Sequence, residues 1–134
     1  MMRKIEHIGI AVKDLAVSNL IFEKLFGAAA YKSEEVESER VSTSFFKSGP
    51  NKIELLAATS PESTIAKFID KKGEGIHHIA FAVEDIVSEI ARLKKEGFVV
   101  LNEIPKKGAD NKLVAFLHPK STNGVLIELC QEIN

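Results

Sequence analysis

Two histidines and two glutamates recur along this chain in matched surroundings, and those four groups could hold a metal ion. His7 stands in Ile5-Glu6-His7-Ile8-Gly9-Ile10-Ala11-Val12, and His78 in Ile76-His77-His78-Ile79-Ala80-Phe81-Ala82-Val83. Glu54 lies between Ile53 and Leu55, and Glu128 between Ile127 and Leu129. A lone His or Glu in an apolar run is more often hydrogen-bonded filler or an edge residue, but the same pair appearing twice argues for a set. Two carboxylates at close range repel, and burying either charge alone is costly. A divalent cation removes both costs. Two imidazoles and two carboxylates make a mixed N/O site, suited to a borderline or first-row ion with open positions rather than to a closed structural zinc site built of thiolates.

Strands must present these groups. Both eight-residue stretches are apolar-rich and β-favouring. Side chains alternate along a strand, so His7, Gly9 and Ala11 share one face, and His78, Ala80 and Ala82 share its counterpart. The opposite faces carry Ile8, Ile10 and Val12, and Ile79, Phe81 and Val83. Bulky residues on one side would pack, while small ones beside the histidines would leave room for a ligand. The glutamates, flanked by aliphatic neighbours, should point to the histidine side.

The surrounding elements repeat as well. Asp14 is a candidate N-cap for a helix whose apolar spacing is Val17, Leu20, Ile21 and Leu25, with Gly27 as its stop. Asp85 is the corresponding cap for a helix with Ile86, Ile90 and Leu93, ended by Gly97. Strands are expected near 29–36, 40–47 and 52–57 in the first half, and near 98–104, 112–117 and 124–131 in the second. Both halves therefore read β-α-β-β-β. A short helix starting at Ser60-Pro61-Glu62-Ser63, with Pro61 at its first position, links them. The expectation is one α+β domain over 1–134. Modules 1–58 and 75–134, joined by a helical linker over 59–74, should form an incomplete barrel with the helices outside.

The totals fit this reading. With 45% hydrophobic and 28% charged residues and a net charge of -1, the chain has the make-up of a globular domain, with no basic surplus for nucleic acid or anionic membranes. No apolar run is long enough to span a bilayer, and Met1-Met2-Arg3-Lys4 runs straight into the first strand without the look of a leader. A single cysteine, Cys130, allows no internal disulfide and reads as small apolar filler. Cytoplasmic residence is the expectation. His77 alternates away from His78 and takes a supporting role. His118, at a strand end, could line a pocket mouth. Lys106-Lys107, beside Gly108, reads as a solvated loop or a contact for ligand phosphates.

Longer pieces carry a resemblance. His7 to Val12 followed by Asp14-Leu15 resembles the opening of the vicinal oxygen chelate superfamily, which includes glyoxalase and bleomycin-resistance proteins. Gly73-Glu74-Gly75-Ile76-His77-His78-Ile79-Ala80-Phe81, with Phe116-Leu117-His118-Pro119-Lys120 and Asn123-Gly124-Val125-Leu126-Ile127-Glu128-Leu129, is similar to the methylmalonyl-CoA epimerase family. That resemblance implies a metal-dependent R/S epimerisation of methylmalonyl-CoA at C2, by proton abstraction through a metal-stabilised enolate. It implies an acyl-CoA substrate, a homodimer and the metal ligands His7, Glu54, His78 and Glu128. The ion implied is divalent, cobalt(II) first, with zinc, manganese, nickel and magnesium as alternatives. Glu128 is the candidate catalytic residue. Some bacterial relatives carry an acid/base glutamate where this chain has Thr43, so the second proton-transfer group is left unassigned. The competing readings are a lactoylglutathione lyase or another metal-dependent member of the superfamily, and a non-catalytic resistance-type binding protein.

Overall fold

The computed structural model describes residues 1–134. In chain order the elements are β1 (Met2–Ala11), α1 (Leu15–Phe26), β2 (Lys32–Val36), β3 (Val41–Ser48), β4 (Asn51–Ala58), α2 (Thr64–Lys72), β5 (Gly75–Val83), α3 (Ile86–Lys95), β6 (Lys106–Lys107), β7 (Lys112–Leu117) and β8 (Ile127–Glu132). Two β-α-β-β-β modules are present, as the repeat predicts, with α2 between them. No helix is long and apolar enough to cross a membrane.

The chain folds as two compact units. One is 7–77, with strand order β2-β3-β4-β1; β1 and β4 run parallel, and β2-β3 and β3-β4 antiparallel. The other comprises 1–6 and 78–134, with strand order β5-β8-β7-β6, parallel at β5-β8 and antiparallel beyond it. The division falls inside β1 and inside β5, immediately before His7 and His78.

The helix caps follow the sequence. Asp14 accepts a hydrogen bond from the Val17 amide at 3.1 Å, and Asp85 one from the Ser88 amide at 3.2 Å. Each satisfies a donor that the helix itself leaves orphaned. Gly27 ends α1 in the left-handed region at φ 73°, where a Cβ would be strained. On the helix side of the first unit, Val12, Phe46, Leu55 and Ala57 pack with Ile10, Ile53, Leu15, Phe22 and Phe26. The Phe22, Phe26 and Phe46 rings lie 5.8–6.1 Å apart in tilted pairs, within the range where aromatic quadrupoles attract. In the second unit Ile86, Ile90 and Leu93 pack on Val83, Ala115, Leu117 and Leu129.

Four expectations are corrected. The residues at helical spacing on α1 face outward: Val17, Leu20, Ile21 and Leu25 are all more than half exposed. Leu15, Phe22 and Phe26, also at helical spacing, face the core instead, because the aromatic pair fills more volume. Second, α2 begins at Thr64, with Ser63 as N-cap accepting from the Ile65 amide at 3.1 Å, so Pro61 lies in the turn before it. Third, the segment 98–104 is not a strand beyond a single bridge, Val100 to Leu117. Asn102 takes the place of backbone there, accepting from the Phe116 amide at 2.9 Å and donating to the Val114 carbonyl at 3.3 Å. The regular pairing shifts past Pro105, onto Lys106-Lys107, which is therefore strand rather than loop. Fourth, Ala11 does not clear space for a ligand. It is fully buried in a cluster with Val41, Leu56 and Ile65, so its small side chain admits α2.

One buried carboxylate on α3 gives a pH-dependent prediction. Glu89 accepts from Arg92 Nε at 2.7 Å, and that hydrogen bond holds its carboxyl below the usual carboxylate range, against the opposing effect of burial. A depressed folded-state pKa stabilises the fold above the ordinary carboxylate range, and the contribution is lost as pH falls through the depressed value. Glu89→Gln is expected to lower stability by about 1–3 kcal/mol at neutral pH. The difference from the wild type should shrink in strong acid. Urea unfolding at pH 7 and pH 3 measures it; an equal loss at both would rule out the ionised pair as its source.

Candidate metal centre

Each unit contains one of the two His-Glu pairs. In the first unit, parallel pairing sets Gly9 beside Glu54, and antiparallel pairing sets Phe45 on its other side. His7 Nδ1 lies 3.1 Å from Glu54 Oε2, with both side chains buried. In the second unit, Ala80 and Phe116 flank Glu128 in the same two positions. His78 Nε2 lies 3.1 Å from Glu128 Oε1, again with both side chains buried. The glutamates point to the histidine side of their strands, as expected, while Leu55 and Leu129 point to the helix side.

Sequence reading missed the two phenylalanines, although the repeat contains them. His7 to His78 is 78 − 7 = 71 positions, and Phe45 to Phe116 is 116 − 45 = 71. The glutamates are offset by 128 − 54 = 74, because the second module's β7-β8 connection is three residues longer. The His78 ring meets Phe116 edge-on, with centroids 6.0 Å apart and planes at 87°, which fixes the imidazole's orientation.

These pairs fit a divalent ion. A separation of 3.1 Å is a hydrogen bond, and it is also the edge between neighbouring donors on an ion with bonds of about 2.1–2.2 Å. Each pair offers one nitrogen and one oxygen, the donor types of first-row ions, and no thiolate. Cys130 is buried against Ala80 and Val114, with its Sγ 3.5 Å from the Phe81 carbonyl, consistent with the filler role read from the sequence.

The remaining candidates divide clearly. His77 packs edge-on against Phe68 of α2 at 5.0 Å, a supporting contact away from His78. His118 caps the turn 119–121, its Nδ1 accepting from the Lys120 amide at 3.0 Å. Thr43 is buried on the same face as Glu54, one pair further along β3. Antiparallel register places Glu34 of β2 directly opposite Thr43. Residues opposite one another share a face, so Glu34 is a carboxylate on the Glu54 side. No sequence pattern marked it, because the signal is strand register.

Residues 6–116 match the Glyoxalase/Bleomycin resistance protein/Dioxygenase superfamily, and the chain belongs to that superfamily. Within it, the chain is 40% identical over 133 residues to the ethylmalonyl-CoA/methylmalonyl-CoA epimerase of Cereibacter sphaeroides, covering 98% of this chain and 99% of that one. It is 38% identical to the mitochondrial methylmalonyl-CoA epimerase of Homo sapiens, covering 96% of this chain and 73% of that one. Streptomyces coelicolor methylmalonyl-CoA epimerase, solved with 2-nitronate-propionyl-CoA, superposes with a TM-score of 0.94 at 33% identity, covering 98% and 96% of the two chains. The α+β fold of paired β-α-β-β-β modules is thus the vicinal oxygen chelate fold, as the sequence led us to expect.

Proposed function

We propose that this chain is a methylmalonyl-CoA epimerase that interconverts the R and S forms at C2 by removing and returning the C2 proton. The observation that carries the reading is the duplicated, buried His-Glu pair in a chain whose relatives are named for this reaction. A related epimerase structure holds methylmalonyl-CoA itself. The nitronate ligand of the Streptomyces structure supports the same chemistry, since a nitronate is planar and anionic, like the enolate left when C2 loses its proton.

In this reading His7, Glu54, His78 and Glu128 hold a divalent ion, cobalt(II) by preference. Such an ion, when bound, supplies Lewis-acid stabilisation for negative charge on the substrate's carbonyl and carboxylate oxygens. The chain's own groups do the rest. Glu128 is held by His78 and transfers a proton at C2 from one face. Inversion needs a second group on the opposite face. Thr43 is a poor base at neutral pH, and Glu34, opposite it in register, is the carboxylate we assign to that role. Residues 1–58 and 75–134 act as modules of one domain, in a cytoplasmic homodimer.

The test is solvent exchange. Metal-loaded protein incubated with methylmalonyl-CoA in D₂O is expected to place one deuterium at C2, and chelation should abolish this. Absence of exchange, together with isomerisation of the glutathione hemithioacetal of methylglyoxal, would instead identify a lactoylglutathione lyase-type enzyme.

A further inference from the structure

The second unit buries a charge where the first buries a valine. Lys112 lies 112 − 41 = 71 positions after Val41, the same step that relates His7 to His78. Val41 packs with Ala11, Leu56 and Ile65. Lys112 is only 6% exposed, although lysine is among the residues least often buried. The strand position does not require an ammonium, because Val41 fills it without one. Three carboxylates surround the Lys112 Nζ: Asp110 at 3.4 Å, Glu132 at 3.9 Å and Glu6 at 4.0 Å. Glu132 is 80% exposed, so solvent screens it. Asp110 is brought there by the backbone. It and Asn111 both take left-handed angles, φ 59° and 54°. Asn111 is pinned to Ile133, donating from Nδ2 to its carbonyl at 3.1 Å and accepting from its amide at 3.2 Å. Such backbone persists only where the surroundings hold it, and it clusters at functional sites. Glu6 is itself only 5% exposed. At 4.0 Å the Glu6-Lys112 pair is past hydrogen-bond range. With both groups out of water the Coulomb attraction is nevertheless strong, and either charge left buried alone would be costly.

We propose that Lys112 is a positioning residue for the metal centre. Its ammonium holds the Glu6 carboxylate, and Glu6 is bonded directly to His7, one trans peptide or about 3.8 Å away along the chain. His7 is the first residue of β1 in register with β4, where it stands beside Lys52. The residues before it belong to the other unit, the one that contains Lys112. The end of a ladder is where strands fray, so an anchor on residue 6 decides how firmly β1 delivers the His7 imidazole. Groups that steady a metal ligand from behind change metal affinity by about 10–100-fold when they are removed. This inference rests on the reading of His7 as a ligand and stands whatever the substrate.

The test is cobalt(II) binding to the intact chain, read by calorimetry and by the visible d–d bands of the bound ion, with urea unfolding of the metal-free protein alongside. Lys112→Met is expected to weaken cobalt binding by about 10–100-fold and to shift the bands, with unchanged circular dichroism. Lys112→Arg keeps the charge and should bind close to the wild type. The double variant Glu6→Gln/Lys112→Met removes both charges. Its metal-free stability should return towards the wild type, since a neutral pair leaves no buried charge alone, while cobalt binding stays weak. That combination separates positioning from stability, and it carries the test if Lys112→Met alone does not fold. Wild-type affinity and bands in the double variant would overturn the proposal, leaving Lys112 a structural charge. Binding by Lys112→Arg as weak as by Lys112→Met would also overturn it. A wild type that takes up no cobalt would overturn the reading of His7 as a ligand, and this proposal with it.

Discussion

Glu128→Gln is expected to lower C2 proton exchange by about 10²–10⁴-fold, the range that general acid-base catalysis supplies. The amide is nearly isosteric, so the parallel pairing with Ala80 and the antiparallel pairing with Phe116 should survive. Two properties are lost. An amide neither accepts a proton at neutral pH nor carries the charge that pairs with His78 and balances a cation. The measurement is the rate of deuterium incorporation at C2, with metal content determined on the same sample. Exchange within tenfold of the wild type would remove Glu128 from proton transfer. Lost exchange with retained metal would separate the proton-transfer role from ligation. Glu34→Gln provides the comparison on the opposite face. A deficit there with metal content intact would support Glu34 as the second proton-transfer group, opposite Thr43 in the β2-β3 register.

The largest expected loss of stability is at Phe46→Ala. Phe46 is buried at the meeting of β3, β4 and α1, with its ring against both Phe22 and Phe26. Truncation removes apolar burial and two aromatic contacts and leaves a cavity, at a cost of about 3–5 kcal/mol. Urea unfolding monitored by circular dichroism checks the value. A loss under 1 kcal/mol would mean that α1 settles into the gap, and that the aromatic cluster contributes little to holding the helix. The substitution touches neither His-Glu pair, so exchange by the folded variant should remain close to wild type.

The parts of the fold that could be read from sequence are those with local signals. Asp14, Asp85 and Gly27 act on backbone groups within a turn of themselves, and the structure places each as a cap or stop. The His-Glu pairs were legible because duplication repeats them among aliphatic neighbours. What failed depended on distant partners. On α1 two apolar stripes both have helical spacing, and only the volume of Phe22 and Phe26 over Phe46 decides which one is buried. The role of Ala11 is set by α2, more than fifty residues away, and a small side chain looks the same whether it admits a ligand or a helix. Asn102 ended the predicted strand 98–104 by hydrogen bonds to β7, which no local propensity encodes. Glu34 came to light only through the β2-β3 register.

The division of β1 has a consequence for how this protein is made. Residues 1–6 leave the ribosome ahead of 7–77, yet the unit they join is completed only by residues 78–134. Arg3 waits for Glu84, and Glu6 for Lys112. In between, 7–77 is contiguous and can collapse as soon as it has emerged. The nascent chain therefore builds its middle first, with a short strand segment left in solvent. Closing so long a loop brings contacts of high sequence separation, which form late and slowly. Until then the unpaired edge is open to pairing with neighbouring chains. Arg3, Lys4 and Glu6, charged in a strand of only ten residues, are the kind of side chains that discourage such pairing.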